Sequence, residues 1–86
     1  MVLIMRLDKF LKVSRIIKRR TVANEACDAQ RIKVNGKAAR ASYEVKAGDM
    51  LEISLGGHIL KAEVVNVAEH VTKEGASELY RVIGES

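Results

Sequence analysis

The sequence predicts an α+β domain in which two short N-terminal helices pack on a small antiparallel sheet. Three observations carry that prediction. Apolar residues recur at helical spacing only before Gln30, apolar and polar residues alternate after it, and the dipeptides Asn35-Gly36, Gly48-Asp49 and Gly56-Gly57 cut the second stretch into hairpin-sized pieces. The first helix spans Arg6 to Ser14: Leu7, Phe10, Leu11 and Ser14 share one face, and Asp8, Lys9 and Lys12 fall on others. A basic connection, Arg15 to Arg20, follows it. Thr21 then offers a side-chain oxygen suited to capping the second helix, whose apolar stripe is Val22, Ala26 and Ala29 at i, i+4 and i+7. Cys27 lies one position off that stripe and is expected to be a small, partly buried side chain.

Beyond Gln30, Arg31 to Val34 alternates polar and apolar and runs into Asn35-Gly36, both of which tolerate the positive φ of a tight hairpin turn. Lys37 to Arg40 continues as a short strand or loop. Val45 leads to the Gly48-Asp49 turn, and Met50, Leu51, Ile53 and Leu55 form a strand of imperfect alternation. Gly56-Gly57 turns the chain into a long strand from His58 to Val67, apolar at Ile59, Ala62, Val64 and Val65. Thr72 to Ser77 reads as a loop or helical turn, and Leu79 to Ile83 as the last strand. With no repeat, low-complexity tract, linker or proline, the expectation is a single domain over residues 1–86, its core motif at about 6–54 and its C-terminal strands at 58–83.

A chain of 86 residues sits near the lower limit for an independent core, which leaves little room for a large catalytic cavity. Its hydrophobic fraction of 48%, carried by Val, Ile, Leu and Ala, is too high for disorder. One cysteine makes no internal disulfide, and the apolar run Val2-Leu3-Ile4-Met5 is too short for a signal peptide or membrane span. The expected setting is the reducing cytoplasm. Met5 directly precedes the basic amphipathic stretch and is a candidate start, which would make the first four residues an unstructured extra.

Charge is divided between the halves. Met1 to Arg40 holds eleven Lys and Arg against Asp8, Glu25 and Asp28, a balance of +8, whereas Ala41 to Ser86 holds four bases against eight acids, a balance of −4. A run of bases is commonly a solvated face. Here the bases extend over both helices and on to Arg40 with few interleaved acids, which favours a polyanion held in one orientation, and nucleic acid is the expected one. Free N–H groups at the start of the second helix would sit beside Arg19 and Arg20 and help hold a phosphate. Phe10, Tyr43 and Tyr80 are the only aromatics, and Phe10 falls on the apolar helix face, so the stacking platform of a single-strand binder is missing. Two successive helices superficially suggest a DNA-reading helix-turn-helix, but the second offers Asn24, Glu25 and Asp28 to its exposed side, and the two acids there would repel phosphate. Structured RNA read through its backbone fits better.

No catalytic or cofactor chemistry emerges. Cys27 lacks the setting of a reactive thiol, His58 and His70 with one cysteine make no zinc spacing, and Asp49 with Glu52 is no acid/base pair. Gly56-Gly57 lacks the lysine and helix of a phosphate loop.

The segments RLDKFLKVSRIIKRRTVANEACDA, RIKVNGKAARAS and VKAGD, covering Arg6 to about Ser54, resemble the RNA-binding domain first described in small-subunit ribosomal protein S-four. Within that superfamily, the size, the RLDKFLKVSR opening and the IIKRRT segment resemble the RqcP-type stand-alone factors of bacterial ribosome-associated quality control. A small heat-shock relative shares the opening but carries a longer basic C-terminal extension, where this chain has Gly84-Glu85-Ser86. The resemblance implies a non-enzymatic, cofactor-free factor, monomeric when free, that binds large ribosomal subunits obstructed by peptidyl-tRNA. Its implied partners are large-subunit ribosomal RNA, the tRNA and an RqcH-type alanine-tailing factor, with no membrane. The alternative is a heat-shock-type recycling factor or another ribosomal-RNA-binding assembly protein. By analogy Arg6, Lys9, Arg15, Lys18, Arg19 and Arg20 carry the RNA contacts, with Lys33, Asn35 and Lys37 as a second edge. Asp8 would orient the helix or pair with an arginine. Arg6 and Arg20 are expected to be exposed and removable without much loss of stability. Gln30 stands where that family typically ends its second helix with Gly, and Ala47 replaces a frequent Pro, which should loosen the Gly48-Asp49 turn.

Overall fold

The computed structural model describes residues 4–68, 73–76 and 78–85. In chain order it has β1 (Met5–Arg6), α1 (Leu7–Val13), α2 (Arg20–Asp28), β2 (Ile32–Val34), β3 (Lys37–Ala38), β4 (Glu44–Val45), β5 (Met50–Leu55), β6 (His58–Val64), α3 (Lys73–Ala76) and β7 (Tyr80–Glu85). The main antiparallel sheet runs β3-β2-β5-β6-β7, and β1 pairs separately with β4. This is the α+β fold read from the sequence. The expected extra before Met5 includes residues outside those described, as do His70, Thr72 and Ser77; Met5 itself is buried and lies opposite Val45.

Helix α1 is short, and its first N–H groups are satisfied from elsewhere in the fold. Leu7 N–H donates to the Tyr43 carbonyl at 2.7 Å and Asp8 N–H to the Ala41 carbonyl at 3.1 Å, which fixes the helix start against the chain before β4. Leu7, Phe10, Leu11 and Ser14 are all buried, as their spacing requires. Asp8, which the spacing places off that apolar face, is also buried, at 2% exposed.

The second helix is displaced from its predicted frame. It begins at Arg20 with Arg19 in the N-cap position and no side-chain cap, so Thr21 lies inside the first turn rather than capping it. Its buried stripe is Ala23, Ala26 and Cys27, while Val22 is 44% exposed and Ala29 is also exposed. The reason is steric: α1 and α2 pack together, and small side chains on the facing stripe allow close approach. Cys27 therefore belongs to the stripe, and burial pushes its thiol up to about 11, leaving it neutral and unreactive near pH 7.

Helix α2 ends in a two-bond cap. Gln30 N–H donates to the Cys27 carbonyl at 3.0 Å and Arg31 N–H to the Ala26 carbonyl at 2.9 Å, with Gln30 held at φ 60°. At the Gly48-Asp49 turn the buried Asp49 carboxylate accepts the Lys46 N–H at 3.1 Å. Strand β6 leaves the ladder at Val64, short of Val67: Val65 and Asn66 both donate to the Leu79 carbonyl, and the Asn66 side chain takes the Val67 N–H. Ile32, Val34, Leu51, Ile53, Ala62 and Val64 line the buried face of the sheet.

Candidate nucleic-acid interface

The basic surface begins where β1 meets α1. Arg6, Lys9 and Arg20 border one open cleft with Ile4, Met5 and Glu44. Arg6 and Arg20 also border the adjoining cleft, with Asp8, Thr21, Asn24 and Glu25. Between the two arginines stands the buried Asp8 carboxylate. Arg6 binds it side-on, Nε to Oδ1 at 3.2 Å and Nη2 to Oδ2 at 3.4 Å, and Arg20 donates Nε to Oδ2 at 3.2 Å. Asn24 Nδ2 adds a bond to Oδ2 at 3.4 Å, and the Lys9 N–H donates to Oδ1 at 2.8 Å. Burial alone would raise the Asp8 pKa; the bonds from Arg6, Arg20 and Lys9 outweigh it and hold the carboxyl below its ordinary value.

One negative charge thus sits under two positive ones. Arg6 and Arg20 keep 51% and 46% of their side-chain surface exposed, so the cluster remains net positive and open to solvent. Both arginines are exposed as expected, but each is also a partner of a buried carboxylate, so removing one is expected to carry a cost in stability. Asp8 does pair with arginine, as its sequence context implied.

The Arg15-to-Arg20 connection faces outward for a local reason. Ile17 is buried and donates its N–H to the Leu11 carbonyl at 3.0 Å, which pins the middle of the loop and leaves Arg15, Lys18, Arg19 and Arg20 in solvent. Arg15 adopts φ 63°, a left-handed backbone that is costly for a residue with a Cβ.

The second predicted edge divides. Register places Lys33 opposite Ala38 and Glu52 on the outer face of the sheet, where it shares a shallow cleft with Arg31, whereas Lys37 pairs with Val34 on the other face of the hairpin. Asn35, at φ 53°, accepts the Met50 N–H on Oδ1 at 3.0 Å and donates Nδ2 to Asp49 at 3.3 Å, so its amide is already engaged within the fold. Asn24 and Arg31 also border these clefts, although the sequence did not single them out as contact residues. The four-residue spacing of Arg20 and Asn24, which puts both on one side of α2 toward Asp8, was the available signal for the first.

Fold and basic front together define a small RNA-binding module of the S4 type: the model of the S4 domain matches residues 5–51. The factor called RQC P-site tRNA stabilizing factor in Halalkalibacterium halodurans is 58% identical over 78 residues, covering 91% of this chain and 89% of its own length. Its counterpart in Streptococcus pneumoniae is 50% identical over 82 residues, covering 95% and 93%. Among solved structures, the trimeric Vibrio cholerae Heat Shock Protein 15 superposes with a TM-score of 0.85 at 25% identity, over 93% of this chain and 82% of that one. The chain belongs to the family of RQC P-site tRNA stabilizing factors, within the S4-domain superfamily. Membership makes it a non-enzymatic translation factor. Among the described residues no helix is long and apolar enough to cross a membrane.

Proposed function

We propose that this chain acts as a single cytoplasmic RNA-binding domain that docks on large ribosomal subunits obstructed by peptidyl-tRNA, contacts ribosomal RNA and tRNA, and supports alanine tailing by an RqcH-type factor. The observation that carries the proposal is the near full-length identity to proteins named for stabilising tRNA in the P site during ribosome quality control. The geometry agrees with it: Arg6, Lys9 and Arg20 converge at one cleft, and Arg15, Lys18 and Arg19 project from the adjoining loop. Lys33, Asn35 and Lys37 would form the outlying edge. The phosphate contour of folded RNA is the ligand such a surface suits.

The test is co-sedimentation of the purified chain with large subunits that carry tRNA and with empty ones. Preferential binding to the tRNA-bearing particles is expected. The second reading implied by the sequence resemblance, recycling or assembly work on subunits, is compatible with the fold shared with Heat Shock Protein 15, and equal enrichment on tRNA-free particles would favour it. Pull-down of an RqcH-type protein only when tRNA is present would support the alanine-tailing role.

A further inference from the structure

The buried carboxylate at the centre of the basic surface lowers the net positive charge that the surface presents to RNA. A surface built only for charge would be better without it. What it supplies is geometry. Arg20 reaches Asp8 through Nε alone, at 3.2 Å, and its two terminal nitrogens have no hydrogen-bond partner among the described residues. Because the guanidinium is planar, anchoring Nε narrows the directions open to the Nη1–Nη2 edge, which presents two parallel N–H donors spaced to match two oxygens of one phosphate. Arg6, bound through Nε and Nη2, borders the same cleft. Asn24 Nδ2 adds a further donor to the carboxylate, on Oδ2 at 3.4 Å.

Resting on the function proposed above, we propose that Asp8 is a positioning residue: from beneath the surface it aims the Arg6 and Arg20 guanidiniums so that the Arg20 Nη pair forms a two-pronged donor for a single phosphate of the bound RNA. Charge and positioning predict opposite signs for one substitution. Asp8→Asn adds one net positive charge, so Coulomb attraction alone would tighten RNA binding. Positioning predicts weaker binding, because a neutral amide holds two guanidiniums poorly.

The experiment measures affinity of the full chain for purified large subunits carrying tRNA, near physiological salt and at a temperature where circular dichroism shows each variant folded. Loss of binding by the unaltered protein would overturn the proposed function; the positioning role is judged on the variants against a binding wild type. Asp8→Asn is expected to bind about tenfold more weakly, the size of one bidentate contact. Arg20→Lys, which keeps the charge but loses the planar fork, is expected to lose a similar factor, and the double variant is expected to lose little more than either alone. Asp8→Asn binding as well as or better than wild type would overturn the proposal, and so would losses that multiply in the double variant. Should Asp8→Asn fail to fold, Arg20→Lys decides: wild-type affinity in that variant would overturn it.

Discussion

Arg20 Nε lies 3.2 Å from Oδ2 of Asp8, joining the first residue of one helix to the first turn of another across 12 positions of sequence. The bond ties the RNA-facing cluster to the packing of the two helices, so stability and binding are coupled at this point. Arg20→Ala leaves Asp8 with Arg6, Asn24 and the Lys9 N–H, and because Arg20 is 46% exposed the lost pair is discounted for screening. The expected cost is about 1 kcal/mol, read as a drop of about 4–8 °C in thermal melts of a domain this size.

Acid should expose the same cluster. The Asp8 carboxyl is held below the ordinary aspartate value of 3.8, with its donors outweighing burial, so its contribution is fully present above that value and is lost as pH falls through the folded one. Melting temperature measured from about pH 6 down to about pH 2 should fall steeply in the acid limb of wild type. In Asp8→Asn that limb should be shallower, from a lower plateau. Parallel curves would show that Asp8 does not contribute to acid unfolding.

These relationships mark where the sequence was readable. The first helix was legible because Leu7, Phe10, Leu11 and Ser14 form an unambiguous face, and the hairpins because Asn35-Gly36 and Gly56-Gly57 supply positive φ at both turn positions. The frame of α2 was not, since Val22 is the more apolar residue and pattern reasoning favours it over Ala23. Space against α1 decided for the smaller side chain. The basic front could be counted along the chain, but the burial of Asp8 could not, because it depends on Arg6, Arg20 and Asn24 arriving from two elements. Lys33 and Lys37 looked alike in sequence and separate only once the strand register is known.

Two non-glycine residues end helices in left-handed conformations, Arg15 at φ 63° and Gln30 at φ 60°. Glycine at either position should stabilise the fold by about 1 kcal/mol by removing the Cβ conflict. Binding should separate them. Gln30→Gly is expected to raise the melting temperature and leave large-subunit affinity near wild type, whereas Arg15→Gly should raise it at the expense of affinity. Equal affinity for both variants would remove Arg15 from the interface.

Asn35 joins the first hairpin turn to the start of β5 through Asp49 and the Met50 N–H. Asn35→Gly preserves the backbone at φ 53° while deleting the amide, and so isolates the side chain's part. The expected loss is about 1–2 kcal/mol in urea unfolding, from one backbone donor and a buried carboxylate left short of a partner. Asn35→Ala should lose more, since it adds backbone strain to the same deletion. Identical losses would mean that the turn conformation costs alanine nothing.

The salt dependence of binding tests the basic front as a whole. If about six of Arg6, Lys9, Arg15, Lys18, Arg19 and Arg20 neutralise phosphates, the affinity for large subunits should fall by about three decades between about 50 and 200 mM monovalent salt, because each contact releases condensed counterions. A charge-removing variant such as Lys18→Ala should shallow that slope by about one contact's share while leaving stability unchanged, since Lys18 is exposed and makes no ion pair among the described residues. Arg20→Lys separates charge from shape: it should leave the slope close to that of wild type and displace the whole line toward weaker binding. A wild-type slope near zero would mean that the surface is held by something other than phosphate, whatever the affinity.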